Sequence, residues 1–147
     1  MIYLVDTNIL LRILQRTDPR HAIVRGATRT LRTNNHELQA TSQNFIEFWN
    51  ASTRPSNSNG FGLTSTETDR LLRIAERLFP LLPDSPAIYP EWRRLVVEYS
   101  VSGVQVYDAR LAASMLVHHV THILTFNTSD FARYAPEGIV AVDPTTV

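Results

Sequence analysis

Two hydrophobic periods alternate along this chain. Ile2-Tyr3-Leu4-Val5 is an apolar run of strand formers that stops at Asp6-Thr7-Asn8, residue types that favour helix caps and turns. Ile9, Leu10, Ile13 and Leu14 then recur at helical spacing until Thr17-Asp18-Pro19-Arg20 closes that helix with residue types that begin another. The pattern predicts a second helix from His21 to Asn34, a short buried strand from Leu38 to Thr41, and a third helix capped by Ser42 and carrying Phe45, Ile46, Phe48 and Trp49. Arg54 to Gly62 is the one stretch with loop chemistry throughout and is expected to be mobile. Beyond it, Ser65-Thr66-Glu67-Thr68 reads as a capping box opening a fourth helix with Leu71, Leu72, Ala75 and Leu78. A strand from Phe79 to Leu82, helices from Pro86 to Tyr99 and from Asp108 to His118, and apolar strand-length runs at Ile123–Phe126 and Ile139–Val142 complete the series.

Short apolar strands separated by amphipathic helices imply an α/β fold, a parallel sheet covered on both faces, because each parallel pair needs a crossover. The pattern does not order the strands. No internal repeat or linker divides the chain, so residues 1–147 are expected to form one domain. A chain of this length buries about two-thirds of its unfolded surface, which is enough for one core.

Composition narrows the setting. There is no cysteine, which removes disulfides, zinc-thiolate sites and thiol nucleophiles together and points to the cytoplasm. No apolar run reaches the roughly 18 residues of a membrane span, and the start lacks the pattern of a secretory signal, so the mature chain is expected to begin at Met1. Formal net charge is zero, so nucleic-acid binding would depend on local clusters of basic residues. All 14 basic residues are arginine, whose planar fork suits carboxylate and phosphate; genomic base composition explains the same bias. Arg25, Arg29 and Arg32 share a face of the second helix, and Arg12 and Arg16 a face of the first. Such stripes serve equally as solvated surface, as RNA phosphate contacts or as a dock for an acidic partner segment.

Carboxylates carry the chemistry. In parallel α/β sheets ligands bind beyond the carboxyl ends of the strands. Asp6 directly follows the first strand, and Asp130 lies shortly after Phe126. Alone, each is an ordinary helix cap. Glu47 alone is a solvated charge on the helix edge with Gln43, Asn44, Asn50 and Arg54. Asp108 heads a stripe with Leu111, Ala112 and Met115 that should face the core, where a carboxylate needs a partner, a cap or a metal.

Four local strings then occur in order: Val5-Asp6-Thr7-Asn8-Ile9-Leu10, Phe45-Ile46-Glu47-Phe48, Tyr107-Asp108-Ala109-Arg110-Leu111-Ala112-Ala113, and Leu124-Thr125-Phe126-Asn127-Thr128-Ser129-Asp130-Phe131. Together they resemble the motifs of PIN-domain ribonucleases, in particular VapC-like toxins of toxin-antitoxin pairs. The resemblance implies a three-layer fold with a small central parallel sheet flanked by helices. It further implies an acidic cluster of Asp6, Glu47, Asp108 and Asp130 that binds Mg2+ or Mn2+ and hydrolyses RNA, with Asn8, Thr125 and Asn127 as secondary polar positions. A cognate antitoxin and a homodimer are implied on the same ground. Tyr107 departs from the pattern, since toxin-type members often carry histidine before that aspartate.

The chemistry suits the residues. A phosphodiester repels hydroxide, so hydrolysis at neutral pH needs an activated water and cations on the transition-state oxygens. Hard Mg2+ or Mn2+ takes oxygen ligands at about 2.0 to 2.1 Å and keeps several waters. Histidine acid-base catalysis fits less well, because His118, His119 and His122 fall at a helix end and the start of a strand. No Walker-type glycine loop is present. Two rivals remain: a PIN nuclease of RNA processing without an antitoxin, and a PIN-like binding module without catalysis, against which the intact acidic set argues.

Overall fold

The computed structural model describes residues 1–147. Strands Ile2–Val5 (β1), Glu37–Thr41 (β2), Leu81–Leu82 (β3), His122–Leu124 (β4) and Val140–Val142 (β5) form an all-parallel sheet in the order β3-β2-β1-β4-β5. The helices are Thr7–Leu14 (α1), His21–Thr33 (α2), Ser42–Thr53 (α3), Ser65–Leu78 (α4), Ile88–Glu98 (α5), Gln105–Val117 (α6) and the single turn Thr128–Phe131 (α7). None is long and apolar enough to cross a membrane.

The two-residue period of the strands separates two cores. Tyr3 and Val5 of β1, Leu38 and Ala40 of β2 and Leu124 of β4 pack with Ile9, Val24, Phe48 and Phe79 from the α1–α4 layer. Leu4 and Ile123 point the other way, onto Leu95, Leu111, Ala112 and Met115 of α5 and α6. The expected three-layer α/β architecture is therefore present, and the Leu111-Ala112-Met115 stripe faces the core as its spacing predicts.

Topology sets the site. From β1 the chain winds outward through β2 and β3, then crosses to the opposite face through α5 and α6 and returns beside β1 as β4. Val5 pairs with Leu124, so the carboxyl ends of β1 and β4 lie side by side where the winding direction reverses. At such a switch point the following loops diverge and leave a crevice. Because α6 leads into the amino end of β4, it runs against the strands and opens its first turn at that same edge.

Several element ends differ from the sequence pattern, each for a local reason. The cap of α3 is Thr41, not Ser42: its hydroxyl accepts from the Asn44 amide at 3.2 Å and its own amide donates to Asn44 Oδ1 at 2.9 Å. Thr64, not Ser65, forms the reciprocal pair with Glu67 at the start of α4. Helix α1 ends at Leu14, so Arg16 lies beyond it and does not share a helical face with Arg12. Strand β3 loses Phe79 and Pro80, because Phe79 is turned into the core at the end of α4 and proline has no amide to donate. Helix α6 begins at Gln105, which places Asp108 in its first turn and not at its cap. The stretch from Arg54 to Gly62 is tied back onto α3: the amides of Phe61, Gly62 and Leu63 donate to the carbonyls of Ala51, Arg54 and Ser52. Gly60 sits so close to the Arg54 carbonyl that any Cβ would collide with it. Its polar composition reflects a compact surface turn.

Candidate active site

Asp6 is the first residue after β1 and is 7% exposed. Burying a carboxylate demands donors, and three converge on it. The Thr7 amide donates to Oδ1 at 2.7 Å, while the Thr125 hydroxyl and the Asn8 amide group donate to Oδ2 at 2.7 and 3.1 Å. Thr125 directly follows β4, so the hydrogen bond spans the two switch-point strands. Burial nevertheless dominates and pushes the Asp6 carboxyl up, with the charges of Glu47 and Asp130 adding to the rise.

Glu47 projects from α3 toward the same edge and is half-buried. The Thr7 hydroxyl donates to its Oε2 at 2.7 Å and Gln43 Nε2 to its Oε1 at 2.8 Å. Asn44 Nδ2 in turn donates to the Thr7 hydroxyl at 3.2 Å, so the residue that completes the capping box of α3 with Thr41 also steers the group that holds Glu47. Asp130 occupies the first turn of α7 and is half-buried.

Asp108 is perturbed in the same direction. Its carboxyl is pushed up to about 7, first by burial and then by the charges of Asp6, Asp130 and Glu47, against a smaller pull from Arg133. No hydrogen bond relieves it. The four carboxylates from four chain segments thus lie within each other's electrostatic reach. Their donor set is oxygen only, the chemistry of a hard divalent cation, and mutual repulsion is what such an ion relieves. As they stand, no three of them close around one point as a finished cage.

Other expected residues divide. Asn8 and Thr125 join the network, with Asn8 Oδ1 also accepting from the Phe126 amide at 3.3 Å. Asn127 has an exposed side chain and takes part through its main chain, its amide donating to the Thr125 hydroxyl at 2.9 Å. Arg16, Arg25, Arg29 and Arg32 line a groove of about 700 Å³ between α1, α2 and α4, floored by Ile13, Leu14, Leu71, Ile74 and Leu78. Arg12 instead faces Asp18 at 3.7 Å. Arg32 donates to the Leu78 carbonyl at 2.7 Å and lies over the Phe79 ring, which gives it a structural task as well. His118 bonds the Pro83 carbonyl, and His122 begins β4 beside Tyr3, at the opposite edge of the sheet from the acids.

Thr7, Gln43, Asn44 and Arg133 escaped the sequence reading as site residues. Gln43 carried one signal, a polar side chain one helical turn before Glu47.

A stability consequence follows from the raised carboxyl of Asp108. The native state holds this proton more tightly than the unfolded chain, so its stabilising contribution is complete below the ordinary value of 3.8 and is lost as pH rises through about 7. In chelator, the melting temperature of the wild type should therefore fall across that window relative to Asp108→Asn. Parallel melting curves for the two proteins over the same pH range would contradict the electrostatic coupling.

No curated protein matches the chain in sequence. Among solved structures, VapBC-1 from nontypeable Haemophilus influenzae is 16% identical with a TM-score of 0.72, covering 99% of each chain. VapBC2 from Rickettsia felis, bound to a DNA fragment from its promoter, is 14% identical with a TM-score of 0.70 over 97% of this chain and 98% of that one. FitAcB from Neisseria gonorrhoeae is 20% identical with a TM-score of 0.69 and complete coverage of both chains, 100% each. At these identities the likeness establishes the fold. The PIN domain family matches residues 3–136, and with nearly the whole chain so matched, this protein belongs to the PIN-domain family.

Proposed function

We propose that this protein is a divalent-metal-dependent endoribonuclease that acts as the toxin of a toxin-antitoxin pair. The observation that carries the reading is the convergence of Asp6, Glu47, Asp108 and Asp130 at the switch point of the sheet, with Asp108 left unrelieved by any hydrogen bond. Membership of the PIN family and a fold shared with subunits of toxin-antitoxin complexes support it.

Asp6, Glu47, Asp108 and Asp130 would hold Mg2+ or Mn2+, ions that take carboxylate oxygens and keep several of their waters. Bound there, such an ion supplies positive charge for the phosphate oxygens and an activated water. The protein's own contribution is orientation. Thr125 and Asn8 lock the Asp6 carboxylate against rotation, and Thr7 with Gln43 does the same for Glu47. Asp108 retains freedom to lose its proton when positive charge arrives.

The arginine-lined groove between α1, α2 and α4 combines an apolar floor with a basic rim, which fits an amphipathic acidic segment laid into it. We assign the antitoxin to this groove. The exposed Tyr89 and Val97, two turns apart on α5, offer an apolar face for a homodimer.

Purified protein with Mn2+ should cleave RNA and lose that activity with chelator. Loss of an outer partner, as in Thr125→Ala, should reduce cleavage about 10- to 100-fold, and Asp6→Asn should reduce it further, because a neutral amide lacks the negative charge with which a carboxylate holds a hard cation. Undiminished cleavage by nuclease-free Asp6→Asn would overturn the reading in favour of a non-catalytic binding module. Reversing charge with Arg25→Glu and Arg29→Glu should weaken capture of the cognate antitoxin and leave metal-dependent cleavage intact; unchanged capture would remove the groove assignment.

A further inference from the structure

A second pocket adjoins the acidic cluster. It lies between α3 and α6, has a volume of about 590 Å³, and is lined by Ile46, Glu47, Asn50, Asp84, Tyr107 and Arg110 among others. Glu47 belongs to both the pocket and the cluster, so whatever fills the pocket is a direct neighbour of a group bound at the carboxylates. The volume lies in the range of small-molecule sites.

Its walls are unlike one another. Ile46 is 68% exposed and Tyr107 58% exposed, two apolar side chains presented to solvent beside a charged centre. The opposite wall is polar and fixed. Gln43 Nε2 donates at 2.8 Å to both Glu47 and the Tyr107 carbonyl, which sets the main chain of Tyr107 relative to the cluster. Arg110 Nη1 donates to Gln43 Oε1 at 3.2 Å and Nη2 to Asp84 at 3.4 Å, and Asp84 is itself held by the Ser42 hydroxyl at 2.7 Å. Guanidinium donors beyond those two bonds and the exposed Asn50 amide remain for an incoming polar edge.

An object with apolar faces and a polar edge is complementary to such walls, and a nucleobase has that form. Resting on the ribonuclease reading above, we propose that this pocket is a base-binding subsite, in which Tyr107 stacks on a nucleobase next to the phosphate held at the carboxylates. A strand engaged at the cluster must lay a neighbouring base on the adjoining surface, and here that surface is the Tyr107 pocket. A second protein copy fits less well, because it would desolvate Glu47, Asp84 and Arg110 together and close the cluster to substrate.

The test uses short single-stranded RNA of defined sequence, with an abasic site at each position in turn, and an uncleavable analogue in which a methylene group replaces the bridging 3′ oxygen at the cut position. Tyr107→Ala should raise the Kd for the analogue in fluorescence anisotropy by about 5- to 100-fold, and raise KM more than it lowers kcat. Tyr107→Phe, which keeps the ring, should remain close to wild type. At one abasic position the losses from Tyr107→Ala and from base removal should fail to add, since both delete the same contact. Additive losses at every position, with wild type cleaving normally, would overturn this subsite alone. A change in oligomeric mass for Tyr107→Ala with RNA affinity retained would assign the surface to a second copy and equally overturn it. Failure of the wild type to cleave any RNA with Mn2+ would remove both the subsite and the ribonuclease reading.

Discussion

Like charges gathered at one edge of a parallel sheet are the constraint around which this molecule is organised. Parallel strands point their carboxyl ends the same way, and the reversal between β1 and β4 opens a crevice there. Asp6 is placed in it by immediate succession to β1, Glu47 by α3, Asp108 by a helix that runs back to the same edge, and Asp130 by the turn that follows β4. Repulsion among them works against folding, and the protein distributes hydrogen-bond donors unevenly in response. Asp6 receives three and Glu47 two, whereas Asp108 receives none and absorbs the imbalance as a raised affinity for protons.

The donors are themselves structural groups, which couples the site to the fold. Asn44 closes the capping box at the start of α3 and also bonds the Thr7 hydroxyl, which holds Glu47. Thr125 directly follows β4, bonds Asp6 and accepts from the Asn127 amide, so the turn that delivers Asp130 is shaped by the same hydroxyl. Farther out, Arg94 makes paired bonds of 2.9 Å to both carboxylate oxygens of Glu137, fastening α5 to the segment after Asp130 that carries Arg133. Stability of these capping and turn elements and geometry of the carboxylates are one property.

Legibility in the sequence follows the range of each interaction. Hydrophobic period identified all five strand regions and six longer helices, because burial of Val5, Leu10, Phe48 or Leu111 is decided by spacing alone. Asp6 stood out through its place after a strand, and Asp108 through the core-facing stripe below it. Element ends were less legible: whether Thr41 or Ser42 caps α3 depends on where the backbone turns, and both residues can serve. Thr7 was hidden because its partner Glu47 lies 40 residues away on another element, and the reach of Gln43 to the Tyr107 carbonyl was hidden likewise, since no local pattern encodes such a pairing. The way the turn from Arg54 to Gly62 is anchored was hidden for a related reason, since composition cannot show carbonyls at the end of α3 waiting to accept amides. Strand order, and with it the convergence of the four acids, required the three-dimensional fold.

The central claim, that these carboxylates form one cation site, is tested most directly by calorimetric titration of Mn2+ at about pH 6.5, in two buffers of different ionisation enthalpy. Asp108 is then largely protonated, and a cation entering the cluster must displace that proton. The account predicts saturable binding with proton release in the wild type, and weaker binding without that release in Asp108→Asn. Absence of saturable binding, or equal proton release from both proteins, would contradict it.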